Sequence, residues 1–310
     1  MNGTSTTAKT VAITGSSGLV GSVLIPALSA EGWRVRRLVR REVRDPTEIR
    51  WNPDRHELDS AQLHGVDAVV HLAGEGVADR RWSEAVKNRI LTSRTKGTGL
   101  LCETLAGLGA KPHVLCSASA VGYYGDRGDE ILDESSSAGY GFLAQVCRQW
   151  EAATQPARDA GIRVVNLRIG VVLSDKGGAL ARMLLPFKLG VGGVIGSGKQ
   201  YISWIALDDL VRTIQFVLDR ASLSGPVNAV TPTPVTNREL TKTLGGVLHR
   251  PTILPMPAIA ARLAFGEMAD EMLLSSARVM PAKLQDSGFE FRFPALQPAL
   301  NYLLREEARG

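Results

Sequence analysis

One stretch near the start constrains this chain more than any other. In "TVAITGSSGLVGSVLIPALSAEGWRVRRLVRR" a short apolar run (residues 10–14) meets three glycines, Gly15, Gly18 and Gly21, spaced three apart. A run with helical spacing follows at 19–31, and a second strand-like run at 33–39. An apolar strand entering a glycine-rich turn that opens a helix is the arrangement that cradles the pyrophosphate of a dinucleotide. Gly15 permits the tight turn, Gly18 lets the backbone approach the phosphates, and Gly21 allows close helix–strand packing. The helix start then offers unpaired N–H groups and a partial positive charge. A bare strand–turn–helix connection is the competing reading, and this context weakens it.

The alternation continues downstream. "DAVVHLAG" (67–74), "HVLCSAS" (113–119) and "RVVNLRIGVVL" (163–173) read as strands, with helices over 82–108 and 142–160 between them. Apolar strands alternating with helices predict an α/β fold, a doubly wound parallel sheet of Rossmann type. After about residue 175 glycine- and proline-containing loops become denser. A helix is expected at 206–220, and another where Thr236 and Glu239 stand at capping-box spacing. The expected organisation is a flexible tail (1–9), a dinucleotide-binding domain (10–175, with 206–248 contributing) and a smaller, mainly helical substrate lobe (176–205 and 249–310).

The second strand decides which dinucleotide. An NAD site places an acidic residue at about this point to hold the ribose hydroxyls. Here "RVRRLVRRE" carries five arginines in eight residues before the first acid, Glu42. A carboxylate would repel a 2′-phosphate, whereas a guanidinium binds it with charge-assisted hydrogen bonds. Strand alternation separates Arg36 and Arg40 from Arg37 and Arg41, so not all four reach one phosphate. Arg40 is the first candidate and Arg41 the second, with NADP(H) the expected cofactor. Arg34, Arg36 and Arg37 are equally well read as solvated strand residues.

Composition narrows the class. The 310 residues are 44% hydrophobic and 22% charged, enough to bury a sizeable core. A net charge of +5 with only 5% aromatics, and one arginine cluster that already has a use, argues against nucleic acid. The chain has no apolar leader and no 18-residue apolar stretch, which argues against a membrane. Cys102, Cys116 and Cys147 form no metal-like pair, and the five histidines have no ligand spacing, so no metal is expected. A reduced, cytoplasmic protein is the expectation.

"TGSSGLVG", "HLAGE", "SASAVGYYG" and "WIALDDL", in this order, resemble the short-chain dehydrogenase/reductase superfamily, most closely its atypical, extended, epimerase-like branch. The resemblance covers residues 10–305 and includes a C-terminal domain of unknown function. It implies that Thr14, Gly15, Ser16, Ser17, Gly18, Leu19, Val20 and Gly21 hold the pyrophosphate. Leu72, Ala73 and Gly74 would line the adenine and ribose path, with Glu75 just beyond. Ser117 and Ala118 would flank the nicotinamide, and Ser119 would stand near the superfamily's catalytic Ser or Thr. Arg168, Gly170 and Val171 would close the nicotinamide side, and Trp204 and Asp208 would belong to the region carrying the substrate lobe. Homodimers are implied by analogy alone.

The pattern fails at one point. Active members use a Tyr-x-x-x-Lys pair, in which the lysine lowers the tyrosine pKa and grips the ribose. In "YGFLAQVCRQWEAA", anchored on Glu151, Leu143 stands in the tyrosine's place and Cys147 in the lysine's. Tyr140 is followed four residues later by Ala144, so no register shift restores the pair. Arg148, next to the lost lysine, is a candidate for the ribose or a phosphate and equally an exposed helix arginine. Tyr123 or Tyr124 is a candidate proton donor beside Ser119, with loop packing as the competing role. "GVIGSGKQ" (193–200) nearly matches a triphosphate-binding loop, but Gln200 replaces the metal-binding hydroxyl residue. It reads as a substrate-side loop, in which Lys199 either meets an anionic substrate or is simply solvated. Two functions follow: an NADP(H)-dependent oxidoreductase or epimerase-like enzyme acting on an unknown small molecule, or a non-catalytic NADP(H) sensor or scaffold. A conventional nucleotide-sugar epimerase, which would need NAD and the Tyr/Lys pair, is a weaker third.

Overall fold

A computed structural model describes residues 8–307, so most of the expected tail lies outside the described residues. The first half runs β1 (Thr10–Thr14), α1 (Leu19–Ala30), β2 (Arg34–Val39), β3 (Glu48–Asn52), β4 (Glu57–Leu58), β5 (Ala68–His71), α2 (Glu84–Ala106), β6 (Val114–Ala120) and β7 (Ile131–Leu132). It continues with α3 (Phe142–Ala152), α4 (Gln155–Asp159), β8 (Arg163–Ile169), β9 (Val171–Leu173) and α5 (Gly178–Lys188). Then come β10 (Tyr201–Ile202), β11 (Trp204–Ala206), α6 (Leu207–Asp219), β12 (Gly225–Ala229), β13 (Val235–Thr236) and α7 (Asn237–Val247). The chain closes with α8 (Ala258–Phe265), β14 (Arg278–Val279), α9 (Ala282–Asp286) and α10 (Leu296–Glu307).

Eight strands form one sheet in the order β12-β8-β6-β5-β1-β2-β3-β4, parallel except for the β3–β4 edge pair. Successive strand residues go to opposite faces. Val11, Ile13, Val70 and Leu167 pack under α1 and α6, while Ala12, Val69, Leu115 and Val164 pack under α2 and α4. Both faces are covered, which is why these strands read as unbroken apolar runs. The chain builds outward from β1 to β2 and β3, then crosses back to β5, so the order reverses between β1 and β5. In such sheets ligands bind outside the strand C-termini at this reversal.

The expected strands and helices are present, with instructive differences. The run 163–173 is two strands, because at Gly170 a Cβ would stand 2.6 Å from the Ser203 carbonyl oxygen. After that close crossing β9 pairs with β11 and leaves the main sheet. The helix expected over 142–160 breaks after Ala152, where the Thr154 hydroxyl donates to the Glu151 carbonyl at 2.6 Å and Pro156 lies in the next turn. Strands β3 and β4 were not anticipated. "EIRWN" mixes charge with apolar residues, and Glu48 is buried only because arginines of the neighbouring segment neutralise it.

The lobe has its own core, in which α5, α7 and α10 pack around Trp204 and Phe293. Residues of α6 and β12 pack in the core of the main sheet, whereas Ala206 and α7 pack in that of the lobe. The capping box is present: the Thr236 side chain accepts from Glu239 N while the Glu239 carboxylate accepts from Thr236 N. Glu271 fastens the lobe to the sheet domain by accepting the Phe142 and Leu143 amides at 2.9 and 3.1 Å, at the start of α3. Among the described residues no helix is long and apolar enough to cross a membrane.

Candidate functional site

The glycine loop closes on the turn that follows β5. Gly15 has φ +70°, and a Cβ there would lie 2.8 Å from the Leu72 carbonyl carbon and 3.0 Å from Ala73 N. A Cβ on Gly21 would overlap the Gly15 carbonyl oxygen and stand 2.8 Å from Ser16 Cα. Gly18 is exposed, and no side chain caps α1. The first turn of α1 therefore keeps its donors for a ligand. Leu19 also touches the cover: a Cβ on Gly178, at the start of α5, would meet its side chain at 3.3 Å.

Thr14 is a joint between the two loops. Its hydroxyl lies 2.7 Å from His71 Nδ1 and accepts the Leu72 and Ala73 amides at 3.1 Å each. His71 Nε2 lies 2.9 Å from Thr98 Oγ1 on α2. Thr14 is fully buried, so the loop's glycines and helix amides, with the exposed Ser17, are what face a ligand. Complete burial pulls the His71 pKa from 6.5 down to about 4, so the imidazole stays neutral. Between these values the unfolded chain binds the extra proton. Stability is therefore whole above pH 6.5 and falls as pH drops from 6.5 to 4, by up to about 3 kcal/mol. A His71→Gln variant should lack this component, so urea titrations of both proteins across this range should show different pH slopes. Parallel slopes would sink the idea.

The arginine-rich strand end sorts itself by side-chain partner. Arg36 donates to the Gln62 carbonyl, and Arg37 pairs with Asp45 and Glu48. Arg41 holds Glu48 in a two-pronged bond of 2.8 and 2.5 Å, which keeps that carboxyl below its ordinary pKa. Glu48 also accepts Arg44 N at 2.8 Å. Arg40 is exposed and has no partner among the described residues. Of the two candidates, Arg40 is thus uncommitted, while Arg41 is largely occupied by Glu48.

The next strands carry a buried polar cluster. Register sets Ser119 of β6 opposite Arg168 of β8. The Arg168 guanidinium grips Glu151 of α3 through Nε–Oε1 at 2.8 Å and Nη2–Oε2 at 2.9 Å, and Ser119 Oγ donates to the same carboxylate at 2.7 Å. The third side of the fork, Nη1, donates to the Tyr124 hydroxyl at 3.0 Å. Tyr124 in turn has Asn228 Oδ1 at 2.8 Å and the Asp133 carbonyl at 2.9 Å. The guanidinium also lies 3.4 Å from the centre of the Tyr123 ring.

With this geometry in view, comparison with known proteins is informative. Residues 11–229 match the NAD dependent epimerase/dehydratase family, and residues 256–303 match a domain of unknown function, DUF1731. The chain belongs to the NAD dependent epimerase/dehydratase family. An epimerase family protein of Mycobacterium tuberculosis is 49% identical over 292 residues, covering 94% of this chain and 96% of that one. Epimerase family protein SDR39U1 of mouse is 36% identical over 294 residues, covering 94% and 98%. The crystal structure of human epimerase family protein SDR39U1 with NADPH superposes with a TM-score of 0.88 at 33% identity, covering 96% of this chain and 99% of that one. The extended dehydrogenase/reductase branch expected from the motifs is the one found.

Against that family background, two of the expected site residues are corrected. Tyr124 is fully buried, and burial pushes its pKa up to about 12. Its hydroxyl is saturated by three partners, so it braces the cluster and offers no proton to a ligand. Arg168 is 3% exposed and committed to Glu151 and Tyr124, so its guanidinium does not close over a cofactor. Tyr123 is half-buried, and its hydroxyl has no hydrogen-bond partner among the described residues. The side chain of Ser117 is buried and unpartnered, so that residue can offer only backbone to the crevice. Glu75 is exposed and paired with Arg89 at 3.2 Å. Gly170 and Val171 form the crossing over Ser203 and the pairing with Trp204.

Leu143 and Cys147 lie together beneath the end of β6. A Cβ on Gly122, just past β6, would lie 3.3 Å from Leu143 Cβ and 3.9 Å from Cys147 Sγ. Cys147 is buried, and burial pushes its thiol up to about 11, away from the thiolate that a nucleophile needs. Arg148 points away, toward the Gly139 carbonyl. In the decoy loop, Gln200 donates to the Ile195 and Leu273 carbonyls, and Lys199 is exposed. Sequence reasoning missed the weight of Glu151, used only as an anchor, and of Asn228. Their signal lay in long-range pairing, which no local pattern carries.

Proposed function

We propose that this protein is an NADP(H)-dependent oxidoreductase, epimerase-like in fold, that acts on a small carbonyl or carbinol compound without the Tyr-x-x-x-Lys pair. The observation that carries the cofactor choice is Arg40, an uncommitted guanidinium at the end of a strand with no free carboxylate beside it. The NADPH held by the human relative supports the same reading. The cradle fits the group: Gly15 and Gly21 let the loop fold tightly against the turn after β5 and the start of α1, and α1 has no capping side chain. Gly15, Gly18 and the first turn of α1 would take the pyrophosphate, and Arg40 the 2′-phosphate.

Bound NADPH supplies a hydride. The chain's own part is to place an oxygen and give it a proton. Ser119 is oriented by Glu151 and is held at the C-terminal half of β6. Tyr123, with its free hydroxyl, is the remaining proton donor beside it. The Arg168 guanidinium, 3.4 Å from the centre of its ring, fixes the orientation of that side chain.

One observation favours a second reading, a non-catalytic NADP(H) sensor: the dyad positions hold Leu143 and a buried thiol, neither of which can relay a proton. Single-turnover oxidation of stoichiometric NADPH, with a panel of small aldehydes and ketones, separates the two. The enzyme reading expects oxidation that falls at least ~100-fold in Tyr123→Phe while NADPH affinity is kept. Tight NADPH binding with no acceptor-dependent oxidation across the panel favours the sensor.

A further inference from the structure

Arg94 of α2 is a cation in an unusual position. It is 9% exposed, and its only hydrogen bond among the described residues is from Nη1 to the Ile90 carbonyl at 3.1 Å, one turn back on its own helix. It makes no ion pair among the described residues, and the carboxylate of nearby Glu75 is taken by Arg89. The guanidinium lies 4.8 Å over the Trp150 ring, whose own Nε1 is buried without a partner. A guanidinium has five N–H donors, and those left without a protein partner here are not among the fully buried polar atoms, so they can meet a ligand. Here four of the five have no acceptor among the described residues.

Its surroundings indicate what completes it. A Cβ on Gly74 would lie 3.2 Å from Arg94 Cζ, so the guanidinium rests against the turn after β5, on the wall of the crevice at the sheet's reversal. On its other side it lies close enough to Cys147 for each group to perturb the other's titration. Cys147 stands in the place of the lysine that grips the ribose in active relatives. The cation lost from α3 thus has a counterpart delivered from α2 into the same corner.

We propose that Arg94 binds the hydroxyls of the nicotinamide-side ribose with its unused N–H groups, replacing the ribose grip of the absent lysine. Ribose hydroxyl oxygens supply the acceptors that the protein does not, and the Trp150 face keeps the fork flat against the wall of the crevice. An arginine stays protonated at physiological pH, so it takes over the grip and not the proton relay. This assignment rests on the NADP(H) reading above.

The test compares two ligands that share the 2′-phosphate end but differ at the ribose in question. NADPH and 2′,5′-ADP are titrated by calorimetry into wild type, Arg94→Met and Arg94→Lys, with thermal melts of each protein. The expected result is a loss of about 10-fold or more in NADPH affinity for Arg94→Met, partial recovery for Arg94→Lys, and 2′,5′-ADP affinity unchanged. Equal NADPH affinity in all three proteins overturns the assignment and leaves the NADP(H) reading standing. An equal loss for both ligands in both variants also overturns it, as a collapse of the crevice. Wild type that binds neither ligand removes the NADP(H) reading and this assignment with it.

Discussion

Replacing Glu151 by alanine is expected to destabilise the protein by about 3–5 kcal/mol, the largest single effect anticipated here. The carboxylate lies under Ser119 and holds both prongs of an arginine whose side chain is 3% exposed. Removing it leaves the Arg168 charge buried with a tyrosine hydroxyl as its remaining side-chain hydrogen-bond partner, and an uncompensated buried charge is far costlier than a lost hydrogen bond. For a chain of this size the melting temperature should fall by roughly 6–10 °C. Ser119→Ala deletes one bond to the same carboxylate and should cost only about 1 kcal/mol. Combining Glu151→Leu with Arg168→Met removes both charges and should recover much of the loss. A Glu151→Ala variant that melts within a degree or two of wild type would show that the pair is not buried in solution as described.

The second large effect concerns the cofactor. Arg40→Ala should weaken NADPH binding by about 10- to 100-fold, the equivalent of ~1.5–3 kcal/mol for a hydrogen bond to a charged group, and leave NADH binding nearly unchanged. The selectivity comes from position: of Arg36, Arg37, Arg40 and Arg41, Arg40 alone has no partner among the described residues. Arg41→Ala should weaken NADPH less and lower stability, because it frees the buried Glu48. Side-by-side fluorescence titrations with both dinucleotides read this directly. Equal losses for NADPH and NADH would mean that Arg40 acts on something other than the 2′-phosphate. A larger loss in Arg41→Ala would move the phosphate to the other side of the strand.

Much of this protein was legible in its sequence. The run from Thr10 to Gly21 prescribes strand, turn and helix by local sterics, and the structure has Gly15 at positive φ with Gly21 against its carbonyl. The capping box at Thr236 and Glu239 is equally local and equally readable. That no tyrosine is followed four residues later by a lysine is likewise read from the letters alone.

Tertiary structure decided which of the named groups remain available. The arginines along and just after β2 look alike in the sequence, and what separates Arg40 from Arg36, Arg37 and Arg41 is that Gln62, Asp45 and Glu48 engage those three. Tyr123 and Tyr124 are adjacent, yet one keeps a free hydroxyl and the other is locked by residues up to 104 positions away. Arg94 sits in an ordinary-looking helix, and only the packing of α2 against the turn after β5 and against α3 makes it a buried cation beside the crevice. The division has a physical cause. Backbone conformation in a turn or helix cap is set by neighbours a few residues away, whereas burial, charge pairing and hydrogen-bond saturation depend on sheet register and on which helix covers which strand.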